Sequence, residues 1–322
     1  MIRGMSITRR EFGRLAIAAI PAVSFLPEIG RSATSSAQRP DSTIAGVQIG
    51  LNVPYSFGNN AMDADEVLQK CVQLGVSALE LRSQPVEGFL GVPADLLARS
   101  SGRASTPDAD AAKKAALERL RTWRVGVSMD KVKSFRKKYA DAGVRIEIVK
   151  FDAIYARPDD EVDYCFELAK ALGARAISCE ISVPETKRLG QFADKHGLMV
   201  GYHGHTETGP KDWETAFGYA AHNGANLDIG HFVAGNHGSP IPFLTEHHDR
   251  ITHIHVKDRK ANNGPNVPLG QGDTPVTEVL RLLRERRWPI QATIEFEYPI
   301  PSGSDRMTEI AKCVKYCEDA LR

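Results

Sequence analysis

The sequence predicts an α/β fold, a (β/α)8 barrel carried by one catalytic domain. Three observations predict it. From Val47 onward, short β-branched or apolar runs alternate with amphipathic helical stretches, the pattern of a parallel sheet covered by helices. The runs that qualify as strands number eight. The later ones end in carboxylate or imidazole side chains, and barrel strands carry their catalytic groups at their C-terminal ends.

The eight candidates are Val47–Val53, Ser77–Arg82, Arg145–Phe151, Ala176–Ile181, Leu198–His203, Ala225–Ile229, Ile251–Val256 and Gln291–Glu297. Between them lie helices with readable ends. Ser128 can cap the segment bearing Val132, Phe135 and Tyr139, which stops before Gly143. Asp160 precedes a helix with Val162, Tyr164, Cys165, Leu168, Ala169 and Leu172 at helical spacing, ending at Gly173. Thr274-Pro275 offers a capping hydroxyl before a proline at the first helical position. A last helix runs from Asp305 to Leu321. The second strand-to-strand step, Ser83 to Val144, is too long for one βα unit. It holds an insertion at about 83–127 with a Ser-, Asp-, Gly- and Pro-containing stretch at Arg99–Asp110, then a helix from Asp110 to Trp123. After a strand's C-terminal end, such an insertion lies on the active face, either as a lid or as surface elaboration.

The first 37 residues do not read as fold. Thr8-Arg9-Arg10-Glu11-Phe12 is followed by an apolar run, Leu15 to Pro27, that Pro21 interrupts and that is too short to span a bilayer. Together with the small residues Ser35-Ser36-Ala37, this resembles a twin-arginine (Tat) signal peptide cleaved after Ala37. The expected domains are therefore 1–37 as signal and 38–322 as one barrel, periplasmic or secreted, with no stable membrane anchor. Lys and Arg number 41 against 40 Asp and Glu, so no basic excess argues for nucleic acid. The five cysteines, Cys71, Cys165, Cys179, Cys313 and Cys317, fit no metal-finger spacing and read as small buried apolar residues.

All ten histidines fall between His196 and His255. Strand four ends Ser178-Cys179-Glu180, strand five Tyr202-His203-Gly204-His205, strand six Leu227-Asp228-Ile229-Gly230-His231. Strand seven ends His253-Ile254-His255-Val256-Lys257-Asp258 and strand eight Ile294-Glu295-Phe296-Glu297. Side chains two apart on a strand share a face. If that face is the barrel interior, a ring of Glu, Asp and His converges, a set suited to Mn, Co, Zn or Mg. Lys257 can hold a substrate oxygen or pair with Asp258 or a glutamate. Gly270-Gln271-Gly272-Asp273 reads as a tight loop before a helix in preference to an anion site. Tyr55, Phe57 and Trp123 can offer an apolar wall for a sugar ring, but lone aromatics of this kind usually serve packing.

These late-strand motifs resemble the xylose isomerase-like TIM-barrel superfamily, which includes the sugar phosphate isomerases and epimerases, inosose and dehydroshikimate dehydratases and endonuclease IV. The resemblance covers roughly Val47 to Arg322. It implies four metal ligands, Glu, Asp, His and Glu, of which the last three map onto Asp228, His255 and Glu295. His203 stands where the first glutamate is expected. Glu180 can supply that carboxylate, with His203 or His205 as a further ligand. It also implies that His231, three after Asp228, contacts substrate. The expected site is thus Glu180, His203, Asp228, His255 and Glu295 around a divalent ion, with His205, Lys257 and His231 in the chemistry. The expected reaction is proton transfer next to a carbonyl by a sugar isomerase or epimerase. The alternative is a lyase or dehydratase eliminating from a 3-keto-glycoside or related keto-polyol. Expected partners are a small sugar or glycoside, the Tat machinery, and a second copy in a homo-oligomer. A DNA repair nuclease would need a basic face. A non-catalytic sugar-binding barrel would not need clustered ligands.

Overall fold

The computed structural model describes residues 39–93, 95–96 and 107–322. The twin-arginine pattern, the cleavage point after Ala37 and most of the Arg99–Asp110 stretch lie outside the described residues. Eight strands form a closed parallel barrel: β1 Val47–Val53, β2 Ala78–Arg82, β3 Arg145–Lys150, β4 Ala176–Glu180, β5 Met199–His203, β6 Asn223–Asp228, β7 Ile251–Val256 and β8 Gln291–Ile294. Each pairs with the next in sequence, and β8 closes on β1 through Ile294 opposite Leu51. Every expected strand is present, with ends shifted by a few residues. β8 stops at Ile294, so Glu295 and Glu297 ride on the segment leaving the sheet.

Around the barrel lie α1 Ala64–Gln73, α2 Ser83–Phe89, α3 Pro107–Gly126, α4 Met129–Asp141, α5 Asp159–Leu172, α6 Val183–His196, α7 Pro210–Tyr219, α8 Ile229–Ala234, α9 Ile241–Glu246, α10 Val276–Arg286 and α11 Arg306–Leu321. The outward faces of the strands and the inward faces of the helices share one apolar core, with Val132, Phe135 and Tyr139 of α4 and Cys313 and Cys317 of α11 all buried in it. Burial of each large aliphatic or aromatic side chain contributes about 1.5–3 kcal/mol. All five cysteines are buried and unpaired. Ser128 caps α4 by accepting from the Asp130 N–H, and Asp305 caps α11 by accepting from the Thr308 N–H. Gly143 and Gly173 take the left-handed conformation at φ +85° and +80° and end their helices.

Two expectations need correction. Pro275 stands before the first residue of α10, and the Thr274 hydroxyl does not cap it. That hydroxyl accepts from the Arg259 N–H, because the chain bends back to β7 there. The helix in the insertion is longer than expected, Pro107–Gly126.

The insertion is fastened by charge. Arg124 near the end of α3 donates to both oxygens of Glu87 in α2, at 2.8 and 3.0 Å, and to Glu161 in α5 at 2.8 Å. All three are buried. Trp123 packs with Val92, Leu96, Ala116 and Leu120 beside this knot. Arg124→Met would leave two buried carboxylates uncompensated, so it should cost about 3–5 kcal/mol of stability. Urea unfolding measures this, and a loss below about 1 kcal/mol would contradict the clamp.

Candidate active site

The site grows from strand geometry. β5, β6 and β7 end one after another around the barrel, with His203 of β5 beside Asn226 of β6 and Asp228 of β6 beside His255 of β7. Register therefore sets Asp228 beside His255, the His203 ring reaches Asp228 from a position two residues lower in the ladder, and the turn after β8 adds Glu295. His203 Nε2 lies 3.4 Å from Asp228 Oδ2, and His255 Nδ1 lies 3.6 Å from Asp228 Oδ2 and 3.2 Å from Glu295 Oε2. One ligand atom from each of the four lies within 4.8 Å of all the others, and all four residues are buried.

These atoms fit a cation. His255 Nδ1 and Glu295 Oε2 have no hydrogen-bond partner of acceptable geometry. His255 Nε2 meets Glu80 Oε2 at 2.6 Å, deep in the barrel, which directs the Nε2 proton to Glu80 and turns the Nδ1 lone pair toward two carboxylates. Glu80 also accepts from Ser178 Oγ at 2.5 Å and lies 3.3 Å from His253 Nε2. Burial opposes a second proton on His255, but Glu295 and Glu80 outweigh it and push its pKa well above the usual value. A positive charge is wanted at this point, and a mixed imidazole–carboxylate set suits a divalent ion of borderline hardness. The residues that would hold it are His203, Asp228, His255 and Glu295.

Lys257 lies at the same mouth. Its ammonium reaches Asp228 at 3.1 Å, Glu295 at 2.6 Å and Glu297 at 2.5 Å. Burial works against that charge, yet the three carboxylates outweigh it and raise its pKa above the ordinary lysine value. The glutamate pairing, and not the one with Asp258, is the one formed. Asp258 instead accepts from the backbone N–H groups of Gly270 and Gly272 at 2.8 Å each and Thr274 at 3.1 Å. The glycine loop is therefore a tight turn around an internal carboxylate. A Cβ on Gly272 would stand 1.9 Å from Asp258 Oδ1, so only glycine lets the backbone come this close. Gly230 serves Lys257 likewise: a Cβ there would meet the lysine Cγ at 2.4 Å.

Glu180 does not join the four. At the end of β4 it takes Lys150 Nζ at 2.7 Å, His203 Nδ1 at 3.0 Å and His205 Nε2 at 2.8 Å. It braces His203 from behind and forms a second group with His203 and His205. Burial raises its pKa, but the hydrogen bonds from His203 and His205 and the Lys150 charge outweigh this and hold it well below the carboxylate range. His205 is about half exposed, and its bond to Glu180 raises its pKa. His231 sits beside Lys257, and burial first, then the neighbouring cations, lower its pKa to about 4. The aromatic wall is not formed as expected. Only Tyr55 is at the mouth, donating to Glu297 at 2.5 Å under the Arg82 guanidinium; Phe57 is in the core and Trp123 in the insertion.

Sequence reasoning missed Glu80, Lys150 and Asn52, whose amide donates to Glu295 at 2.7 Å. A signal existed. Each is a polar residue of an early strand flanked on both sides in sequence by apolar residues, Asn52 and Lys150 standing at or near the strand's C-terminal end.

Comparison with known proteins agrees with the barrel fold. Residues 109–317 match the family described as "Xylose isomerase-like TIM barrel". The chain belongs to that family. A 74-residue segment is 36% identical to inosose dehydratase of Lactiplantibacillus plantarum, covering 21% of this chain and 24% of that protein, so it spans about a quarter of the relative's length. Among solved structures, D-psicose 3-epimerase of Clostridium cellulolyticum H10 matches with a TM-score of 0.58 at 11% identity, over 85% of this chain and 99% of the other. A 3-DHS dehydratase assigned to petrobactin synthesis in Bacillus anthracis matches with a TM-score of 0.58 at 13% identity, over 84% and 99%. At these identities the structural likeness establishes the fold. Asp258→Ala should remove the acceptor of three loop N–H groups and cost about 1.5–3 kcal/mol. Urea unfolding checks the loss, and faster hydrogen exchange at Gly270 and Gly272 locates it.

Proposed function

We propose that this chain is a metal-dependent sugar isomerase or epimerase that works by proton transfer at a carbon next to a carbonyl. The observation that carries the reading is the convergence of His203, Asp228, His255 and Glu295 on one point, with His255 Nδ1 left without a hydrogen-bond partner. A divalent ion held there would supply Lewis-acid polarisation of substrate oxygens and so make the neighbouring C–H more acidic. The remaining work falls to the chain's own groups. His205, with Nε2 turned to Glu180, keeps Nδ1 to take the proton, and the Glu180 charge stabilises the imidazolium that results. The Lys257 ammonium faces the same space and stabilises negative charge growing on a substrate oxygen. Across the mouth, Glu297 and the Tyr55 hydroxyl form a second ionisable pair, which supports handling a proton at a second position.

The substrate this mouth favours is an uncharged sugar or glycoside. Arg82 is paired with Asp152, Lys150 with Glu180, and Lys257 with three carboxylates. Arg259 is bound to the Gly264 carbonyl and to His231. Among the described residues, these four cations leave no strong provision for a phosphate. The twin-arginine-like start is in keeping with the same choice, since phosphorylated sugars are scarce outside the cytoplasm.

A second reading, a lyase or dehydratase acting on a 3-keto-glycoside or related keto-polyol, is favoured by histidine at position 203. It needs the same proton abstraction, followed by loss of a leaving group from the next carbon. Two of the matched proteins are named as dehydratases.

Elemental analysis of the purified protein should find one equivalent of divalent metal in the wild type and loss of it in Glu295→Gln and His255→Ala. A wild type that cannot be loaded with metal would defeat the proposal. His205→Asn should retain the metal yet slow exchange of substrate hydrogen with solvent deuterium by about 10²–10⁴-fold. Ketoses and 3-keto-glycosides, assayed side by side, then divide the isomerase from the lyase.

A further inference from the structure

We propose that Asp152 is a specificity-determining residue that closes Arg82 to phosphate and so restricts the early-strand side of the mouth to an uncharged, hydroxyl-bearing part of the substrate. The inference rests on the reading of the barrel mouth as a sugar site and names the residue that keeps phosphorylated sugars out of it.

The ligand cluster is built from the ends of β5 to β8, so a substrate bound there faces the ends of β1, β2 and β3 across the mouth. Arg82 is the last residue of β2. It stands two residues from Glu80, so both side chains share the inner face of the strand. Its guanidinium lies 4.8 Å from the centre of the Tyr55 ring. The Tyr55 hydroxyl donates to Glu297, and Glu297 meets Lys257 at 2.5 Å. Arg82 is thereby joined to the mouth that Lys257 lines.

An arginine in this place is suited to hold a phosphate. The guanidinium keeps its charge, carries only donors and matches phosphate geometry. Here that capacity is taken up. Arg82 Nη1 donates to both oxygens of Asp152 at 2.7 Å each, and Gln84 Nε2 donates to Asp152 Oδ2 at 3.0 Å. Among the described residues, Asp152 is the one carboxylate that pairs with Arg82. The Arg82 side chain is 10% exposed and the Asp152 side chain 42%. The carboxylate is therefore the solvent-facing member of the pair. A group arriving from the mouth meets negatively charged acceptor oxygens before it reaches the cation. A hydroxyl can donate to them, whereas a phosphate, anionic and rich in acceptors, is repelled.

The backbone holds Asp152 in this position. β3 ends at Lys150, whose partner in the ladder is Arg82, and Asp152 follows two residues later. Ala153 takes φ +52°, in the left-handed region that non-glycine residues seldom adopt, and the Asp152 carbonyl accepts from Arg157 Nη2 at 3.2 Å. The turn out of β3 thus sets the carboxylate over Arg82.

The test is calorimetric titration of inorganic phosphate into the full-length protein at mildly alkaline pH, where phosphate is a dianion. Asp152→Ser should bind phosphate about 10–100-fold more tightly than wild type, because the anion takes the place of the carboxylate on Arg82. Asp152→Asn, which keeps the shape and one acceptor for Arg82, should gain less in the same direction. Arg82→Met combined with Asp152→Ser should lose the gain, which separates this effect from phosphate held elsewhere, a bound metal included. Equal phosphate affinity in wild type, Asp152→Ser and Asp152→Asn would overturn the inference. A gain that persists when Arg82→Met is added would overturn it too. Phosphate binding is read without turnover and as a difference between variants with the same ligand cluster. Failure of the proposed reaction, which shows as missing metal or activity, is therefore distinguishable from failure here.

Discussion

Glu80, Asp228 and Glu295 are buried inside one barrel, and buried carboxylates without counter-charge cost several kcal/mol each. Much of the rest follows from answering that charge. Lys257 threads past Gly230 to reach Asp228 and Glu295. His255 stands between Glu80 below and the other two above, so that one nitrogen is tied down and the other is presented. The point at which Asp228, Glu295 and the His255 lone pair meet is where a divalent cation relieves the largest repulsion. The same concentration of buried carboxylate and imidazole is what suits this point to a divalent ion.

The surrounding structure keeps these groups from relaxing away from each other. The parallel register sets Asp228 beside His255, the His203 ring reaches Asp228 from the neighbouring strand, and the segment leaving β8 delivers Glu295 from the other side. Glu180 and Lys150 brace His203, Asn52 holds one oxygen of Glu295, and Asp258 gathers the backbone N–H groups of the following loop. Each ligand thus has a partner one step further out, as precise positioning of a reactive centre requires. Arg124 joins α3 to α2 within the insertion through Glu87 and ties it to α5 through Glu161. A helix held by buried ion pairs at its base is a poor candidate for a freely opening lid, and its described part is better read as a fixed wall.

Much of this was legible in the sequence, and for physical reasons. Strand periodicity and strand-end polarity report on the barrel directly, so the eight strands and the late-strand residues could be read off. Glu80 was missed because attention to histidine-rich ends favours late strands, while a single glutamate in Ala-Leu-Glu-Leu-Arg carries no local sign of its partners 173 and 175 residues away. Glu180 and His203 show the opposite limit. Sequence places both at the mouth, but only the geometry separates the side chain in the four-residue cluster from the one that braces it. Thr274-Pro275 has the composition of a cap, yet the long-range pull of Arg259 on its hydroxyl overrides the local preference.

The most direct measurement is a crystal structure of the manganese-loaded protein with anomalous scattering recorded for the metal. The account predicts a single strong peak enclosed by His203, Asp228, His255 and Glu295, at ligand distances of about 2.0–2.2 Å. A peak held by Glu180, His203 and His205, with the four-residue cluster still closed around Lys257, would contradict it.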